Sequence, residues 1–373
     1  MTDTGVMRGR KRPTLAAILA SFALLGALAP ATAPSVAQAA YAGPTKVAGG
    51  LKDPAAFAFA PDGRIFYGER ATGEIHILAA NGSSDSLFFT IPNVVSNGEQ
   101  GVLGIAIDPG YPGVPHVFVY ATRMISGQER NQILRVTDTA GSGGGMIVLW
   151  SSPTTAGVYH DGGHIAFGPD GKLWAVVGEG HSPANAQKLT NDAGKVIRMN
   201  PDGSAPGDNP FAGKLIWSYG LRNSFGFSFD PANGRLWESE NGPECNDEIN
   251  RILKGRNFGW GPSETCGHPP ATPQNTNQDG PKPVLPKIWF TPTVAPTGLA
   301  FCNGCGLGAK SEGRIFFGEY DTGDIMRVNI SADRKTIVGH SVFYSHSDGI
   351  RSLQAAPDGT LYFSDSTSIW HLT

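Results

Sequence analysis

Phe59-Ala60-Pro61-Asp62-Gly63-Arg64-Ile65-Phe66-Tyr67 is the stretch that decides the fold. Pro and Gly set a tight turn, and the residues after it are β-branched or aromatic, the types that strands favour. Gly73-Glu74-Ile75-His76-Ile77-Leu78 supplies the next strand. The phrase returns as Ile107-Asp108-Pro109 with Val117-Phe118-Val119-Tyr120, then as Phe167-Gly168-Pro169-Asp170-Gly171-Lys172-Leu173-Trp174. It comes again as Phe229-Asp230-Pro231 with Gly234-Arg235-Leu236-Trp237, and as Glu312-Gly313-Arg314-Ile315-Phe316-Phe317. Ala356-Pro357-Asp358-Gly359-Thr360-Leu361-Tyr362-Phe363 closes the series. Turn-punctuated strands recurring about every 45 to 60 residues indicate propeller blades. Six copies predict an all-β, six-bladed β-propeller. Unrelated hairpins in a β-sandwich would not be spread so evenly. A longer gap before the fifth copy marks an insertion around Ser263 to Lys287, rich in Pro, Thr, Asn and Gln, which reads as a loop.

The rest of the composition agrees. The chain of 373 residues has 50 Gly and 28 Pro, and no segment keeps a helical period for several turns without interruption. A net charge of -3 gives no electrostatic footprint for nucleic acid or an anionic membrane. Arg8, Arg10, Lys11 and Arg12 precede an apolar run from Leu15 to Leu28, and Ala37-Gln38-Ala39 reads as a small-x-small cleavage site. Residues 1–39 are therefore expected to be a signal peptide and 40–373 a single propeller domain, secreted, periplasmic or at the cell surface. An uncleaved anchor is the alternative, which so short an apolar run disfavours. No later segment is long and apolar enough to span a bilayer, so no membrane insertion is expected after cleavage.

Cys245, Cys266, Cys302 and Cys305 all lie in the mature part. An even count in an exported chain favours disulfides, and closeness in sequence pairs Cys245 with Cys266 and Cys302 with Cys305. A zinc site is the competing use, but a second short ligand pair is missing.

Chemistry concentrates elsewhere. Tyr219-Gly220-Leu221-Arg222-Asn223, Glu240-Asn241-Gly242-Pro243-Glu244-Cys245-Asn246-Asp247-Glu248 and Asn257-Phe258-Gly259-Trp260 are too rich in Gly, Asn and acid for a packed core. They suit loops that offer oxygen atoms to a hard cation such as calcium. His160 precedes Gly162-Gly163, a pair that lets a ligand or a neighbouring strand come close to the backbone. Glu179 follows the strand Leu173 to Val177. A histidine before one strand and an acid after the next can meet across a blade, where the acid orients the ring and raises its basicity. His164 falls inside a strand and reads as structural. On a propeller these residues should gather at one end of the axis, where loops from several blades converge.

The same strings carry a resemblance. With Gly194-Lys195-Val196-Ile197-Arg198-Met199-Asn200-Pro201-Asp202-Gly203 and Gly207-Asp208-Asn209-Pro210-Phe211, the chain from Val47 onward resembles the soluble quinoprotein glucose and aldose sugar dehydrogenases. That family uses pyrroloquinoline quinone and calcium. The resemblance implies that His160 removes a proton from the sugar's anomeric hydroxyl with Glu179 behind it, although the family's acid is usually aspartate. Glu99, in Gly98-Glu99-Gln100-Gly101, takes the position that touches sugar or cofactor. Arg222 and Asn223 match the pair that holds the quinone oxygens, and Arg351 matches a further cofactor contact. Gly242 and Pro243 match carbonyl ligands of the catalytic calcium. Glu248 and Phe258 match a second, structural calcium site where tyrosine often replaces the phenylalanine. The implied partners are a small-molecule sugar and an external electron acceptor.

The pattern breaks where the quinone's carboxylates need cations. Asp321 stands where a lysine is usual, and Gly349-Ile350-Arg351 keeps only the second of two arginines. Each hydrogen bond to a charged group is worth ~1.5–3 kcal/mol, so two losses are substantial. Lys195, Arg198 and Arg327 are expected on the solvent faces of strands. Beside the dehydrogenase, the sequence leaves open a calcium-dependent lactonase-type hydrolase and a non-catalytic propeller that binds carbohydrate or protein.

Overall fold

The computed structural model describes residues 41, 43–263, 266 and 279–373. The expected signal peptide at 1–39 and most of the insertion lie outside the described residues. Strand β1 (Pro44–Gly49) is followed by the first blade, β2 (Ala56–Phe59), β3 (Ile65–Gly68), β4 (Glu74–Leu78) and β5 (Asp85–Thr90). The second blade holds β6 (Val102–Ile107), β7 (His116–Ile125), β8 (Gln128–Thr139) and β9 (Ser142–Ser151). Next come β10 (Gly162–Phe167), β11 (Leu173–Val177), β12 (Lys195–Met199) and β13 (Ile216–Tyr219), with the short helix α1 (Ala184–Gln187) between β11 and β12. The fourth blade is β14 (Ser224–Phe229), β15 (Leu236–Glu240), β16 (Asp247–Arg251) and β17 (Ile288–Phe290). The fifth is β18 (Pro296–Phe301), β19 (Ile315–Glu319), β20 (Asp324–Ile330) and β21 (Ile337–Ser345). Finally β22 (Ser352–Ala355), β23 (Leu361–Ser364) and β24 (Ser368–Leu372) take β1 as their fourth strand.

Six four-stranded antiparallel sheets result, and the predicted propeller is what the chain forms. The first strand of each blade packs against the first strands of its two neighbours, from β2 round to β22 and back, so these six line the axis. Each copy of the turn phrase joins a first strand to a second. The ring closes where β1 pairs with β24 in the register Pro44–Leu372 to Gly49–Ser368.

Blades pack face to face, which buries both sides of most strands. Phe66, Ile75, Val102, Val119 and Leu134 fill one such interface, and Phe118, Tyr120, Ile165, Leu173 and Ile197 another. Gly163 answers the question raised by its glycine pair: with φ of 116°, its Cα lies against Leu103 of the neighbouring strand β6, where a Cβ would overlap it. The close approach there is by a strand.

Two disulfides join Cys245 to Cys266 and Cys302 to Cys305, with Cα separations of 5.8 and 5.0 Å. All four sulfurs are thereby used, which excludes the zinc alternative. Two expectations are corrected. Lys195 is fully buried on β12, where its ammonium donates to the carbonyls of Asn185, Ala186 and Ala193 at 2.9, 2.9 and 2.5 Å. Arg198 is also buried, bonded to Asp170, Asp208 and Asn209. Arg327 is half-buried with its guanidinium over Phe343. No helix among the described residues is long and apolar enough to cross a membrane.

Candidate functional site

Antiparallel pairing puts the start of every first strand at the same end of the axis as the end of every second strand. His160 and Asp161 lead into β10, Arg222 and Asn223 into β14, and Arg351 into β22, while Glu179 follows β11 and Asn241-Gly242 follows β15. The sequence-predicted residues therefore converge on one axial end.

A cavity of about 350 Å³ opens at that end. Its wall takes Ala56, Leu103, His164, Phe225, Thr297 and Gln354, one residue from each first strand. That volume is in the range of small-molecule sites. Glu99 and Arg351 line the cavity, as do Asp53, Arg70, Tyr159, Asn241 and Tyr320. His160, Arg222 and Asn223 are not among its walls but connect to it. His160 N and Asn223 Nδ2 both donate to Glu99 Oε2, at 2.8 and 3.0 Å. One carboxylate thus ties the second, third and fourth blades together.

His160 sits in a left-handed backbone conformation, φ 65°. Its Nδ1 is hydrogen-bonded to Glu179 Oε1, and the pair is buried. Glu179 is fixed in turn: Ser182 N donates to Oε2, and Asn185 Nδ2 donates to its carbonyl at 3.1 Å. Those donors lie just before and within α1, which the Lys195 ammonium holds through the carbonyls of Asn185 and Ala186. Among the described residues, His160 Nε2 makes no hydrogen bond. His181, which sequence reasoning missed, places its ring 4.9 Å from that of His160.

Arg222 joins the third blade to the fourth. Its N–H donates to Glu240 Oε1, and Nη1 donates to the Asn241 carbonyl at 2.8 Å, while the guanidinium lies over Trp260. Gly242 N donates to Asp247 Oδ1 at 2.7 Å, and Asp247 Oδ2 accepts from Val294 and Ala295 N–H at 2.6 and 2.8 Å. Burial raises Glu240 to about 8 and pushes Asp247 up as well. Glu248 is buried and accepts from Asn250 Nδ2 at 3.1 Å. The Phe258 ring belongs to the apolar core with Trp174, Leu221 and Phe227, so only its backbone oxygen is available to a cation.

His164, read from its strand position as structural, lies on the wall of the axial cavity. Its ring meets Phe227 edge-on at 4.6 Å, and burial lowers its pKa to about 4. Gly349 also has a physical reason. A Cβ there would overlap the Tyr320 carbonyl oxygen, so an arginine does not fit without moving the β19–β20 turn. Asp321 is exposed. The residues that sequence reasoning missed are Asp53, Arg70, Tyr159 and Tyr320 on the cavity wall. Of these, Tyr159 had a signal, being next to His160, and so had Tyr320, next to Asp321.

Comparison with known proteins agrees with this geometry. The Glucose / Sorbosone dehydrogenase family profile matches residues 51–370. The aldose sugar dehydrogenase of Escherichia coli is 28% identical over 331 residues, covering 84% of this chain and 86% of that one. Quinoprotein glucose dehydrogenase B of Acinetobacter calcoaceticus is 32% identical over 245 residues, 56% of this chain and 50% of its own length. Among solved structures, the quinone-bound aldose sugar dehydrogenase of Streptomyces coelicolor superimposes with a TM-score of 0.74 at 27% identity, covering 88% of this chain and 96% of that one. A profile match over nearly the whole propeller, on a chain whose polar residues meet at one axial end, places this protein in the glucose/sorbosone dehydrogenase family.

Proposed function

We propose that the chain is an exported aldose dehydrogenase that oxidises a sugar at its anomeric carbon to the lactone, using pyrroloquinoline quinone and calcium. The observation that carries this reading is the buried His160–Glu179 pair at the axial face. A carboxylate on Nδ1 keeps a proton there and leaves Nε2 as the basic nitrogen. Nε2 then accepts the anomeric hydroxyl proton, and Glu179 stabilises the imidazolium that forms. Ser182, Asn185 and Glu99 hold the pair in place, so the ring has little freedom to lose on substrate binding.

The residues fit the two groups. Arg222 Nε, Asn223 Oδ1 and Asn241 Oδ1 are buried without a hydrogen-bond partner among the described residues. Native proteins rarely leave such atoms unpaired, so each is a place for a ligand atom. Glu179, Glu240, Glu99 and Asp247 surround Arg222, carboxyl oxygens of the kind a hard cation takes as ligands. Arg222, Asn223 and Arg351 would hold the quinone, and the Gly242 and Pro243 carbonyls the calcium, with Glu248 and the Phe258 carbonyl at a second calcium. When bound, the quinone supplies the two-electron acceptor and calcium the Lewis acid. An external acceptor then takes the electrons. The named activities of the Escherichia coli and Acinetobacter relatives support the sugar, and the quinone-bound Streptomyces neighbour supports the cofactor. Two disulfides support an oxidising compartment, in keeping with a signal peptide at 1–39 and a mature domain from 40 to 373.

The test is reconstitution of purified apoprotein with the quinone and calcium, followed by calorimetry and a dye-linked assay on aldoses. Saturable binding with aldose-dependent dye reduction supports the reading. Absence of binding at micromolar quinone with calcium present removes it, and a binding propeller or a hydrolase takes its place.

A further inference from the structure

Asp53 is one carboxylate that holds two guanidinium groups. Its Oδ2 accepts from Arg70 Nε at 2.6 Å and its Oδ1 from Arg351 Nε at 2.9 Å. Arg70 Nη1 continues to the carbonyls of Gly98 and Gln100, at 3.0 and 2.7 Å. The Arg351 guanidinium lies 4.4 Å from the centroid of the Tyr320 ring. Asp53, Arg70, Tyr320 and Arg351 all line the axial cavity. Among the described residues, neither Nη of Arg351 nor Nη2 of Arg70 has a hydrogen-bond partner.

Facing guanidiniums with unused N–H groups are what fork-like recognition of a carboxylate requires. Here the carboxylate between them comes from the chain itself. It is also anchored. Asp53 has a left-handed backbone, φ 53°; its N–H donates to the Ser366 carbonyl at 2.9 Å, and its own carbonyl accepts from Arg70 N at 3.1 Å. An incoming anion therefore shares the two arginines with a fixed negative charge.

We infer that Arg70 and Arg351 form a carboxylate-binding subsite of the axial cavity, and that Asp53 sets its affinity for multiply charged anions. Neutral sugars are unaffected by this charge, whereas a di- or tricarboxylate is opposed by it. Gly349 and Asp321 remove cations from this face relative to the quinoprotein resemblance, and Asp53 neutralises part of what is left. Applied to the cofactor, the inference rests on the quinone reading above; applied to carboxylates in general, it does not.

Asp53→Asn keeps the shape, tolerates the left-handed backbone and deletes the charge. Calorimetry would titrate citrate, without calcium, and pyrroloquinoline quinone, with calcium, into wild type, Asp53→Asn and Asp53→Asn/Arg351→Gln. The single variant should bind citrate roughly ten- to a hundredfold tighter, the range for a charged hydrogen bond, and with a steeper salt dependence. The double variant should return toward wild type. Equal citrate affinity in wild type and Asp53→Asn overturns the subsite, and so does a gain that survives loss of Arg351. A citrate gain without quinone binding in any variant keeps the subsite and removes the quinone reading. Asp53→Gly, suited to the same backbone, repeats the test if the amide variant fails to fold.

Discussion

The two ends of the propeller axis are built from the same strands and do opposite things. At one end the first strand of each blade turns into the second through a repeated phrase, with Asp62, Asp170 and Asp358 each accepting from the backbone N–H two residues on. At the other end the corresponding positions share no phrase: Asp53, Glu99, His160, Arg222, Ala295 and Arg351 precede or begin their blades. The repeated end also has a cavity, but it is formed mainly by turn residues such as Pro231, Asn303, Pro357 and Gly359. Repetition closes the ring, and divergence from it makes the site. At the varied end the carboxylates of Asp53 and Glu99 bond to residues of other blades, whereas a turn aspartate is held mostly by its own blade.

The sharpest way to break this comparison is His160→Ala. Loss of a general base should lower aldose turnover by ~10²–10⁴ in a dye-linked assay of reconstituted enzyme. Quinone affinity by calorimetry should change little, since His160 is not among the groups proposed to hold the cofactor. A parallel loss of affinity would mean that the varied end works as one binding surface without a separate base.

Asp161 comes next. It is fully buried, its pKa is raised to about 7 chiefly by desolvation, and Asn131 Nδ2 donates to it at 2.8 Å. Between the ordinary aspartate value and about 7, the unfolded chain has released a proton that the folded chain keeps. Stability contributed here is therefore highest in acid and falls as pH rises through that window. Asp161→Asn should remove the decline, leaving the variant a few kcal/mol more stable relative to wild type at pH 8 than at pH 4, at about 1.4 kcal/mol per pKa unit. Thermal melts of both proteins across that range check it; parallel curves would refute it.

At the repeated end, Asp170→Ala should cost stability without touching activity. Its carboxylate accepts from Lys172 N, Trp174 Nε1 and Arg198 Nε, and it leaves a buried guanidinium short of one partner. A loss of roughly 1–3 kcal/mol by urea titration is expected, with turnover of the folded fraction unchanged. The equivalent residue of the first blade gives the smallest effect. Asp62 pairs with Arg64 at an exposed turn, and Asp62→Ala should shift stability by no more than about 0.5 kcal/mol. If Asp62 and Asp170 cost the same, burial is not what separates the blades.

How much could be read in advance follows from the same contrast. The turn phrase is local, so the number of blades was legible. That His160 and Glu179 can meet across a blade was legible from the strand between them, while the role expected of the pair came from the family resemblance. Asp53, Arg70 and Arg351 meet only when the ring closes, across a separation of 298 residues for the Asp53–Arg351 bond, and nothing near any of them announces it. Lys195 was misread for a different reason. Alternation marks a solvent face when a sheet has one, but β11 and β12 are buried along their whole length between neighbouring blades. On such strands a charged residue is a buried anchor, and period two carries no information about exposure.

The pairing of β1 with β24 has a kinetic consequence. The final blade lacks its outer strand until residues 44–49 meet residues 368–372, far apart in sequence. Loop closure over such a distance is entropically costly and slow compared with hairpin formation inside a blade. Five blades can gather from contacts within themselves and with the next blade, while the sixth waits with an open sheet edge. The seam between β1 and β24 is then where an unfinished molecule is most exposed to a second copy of itself, and where refolding at high protein concentration should go astray first.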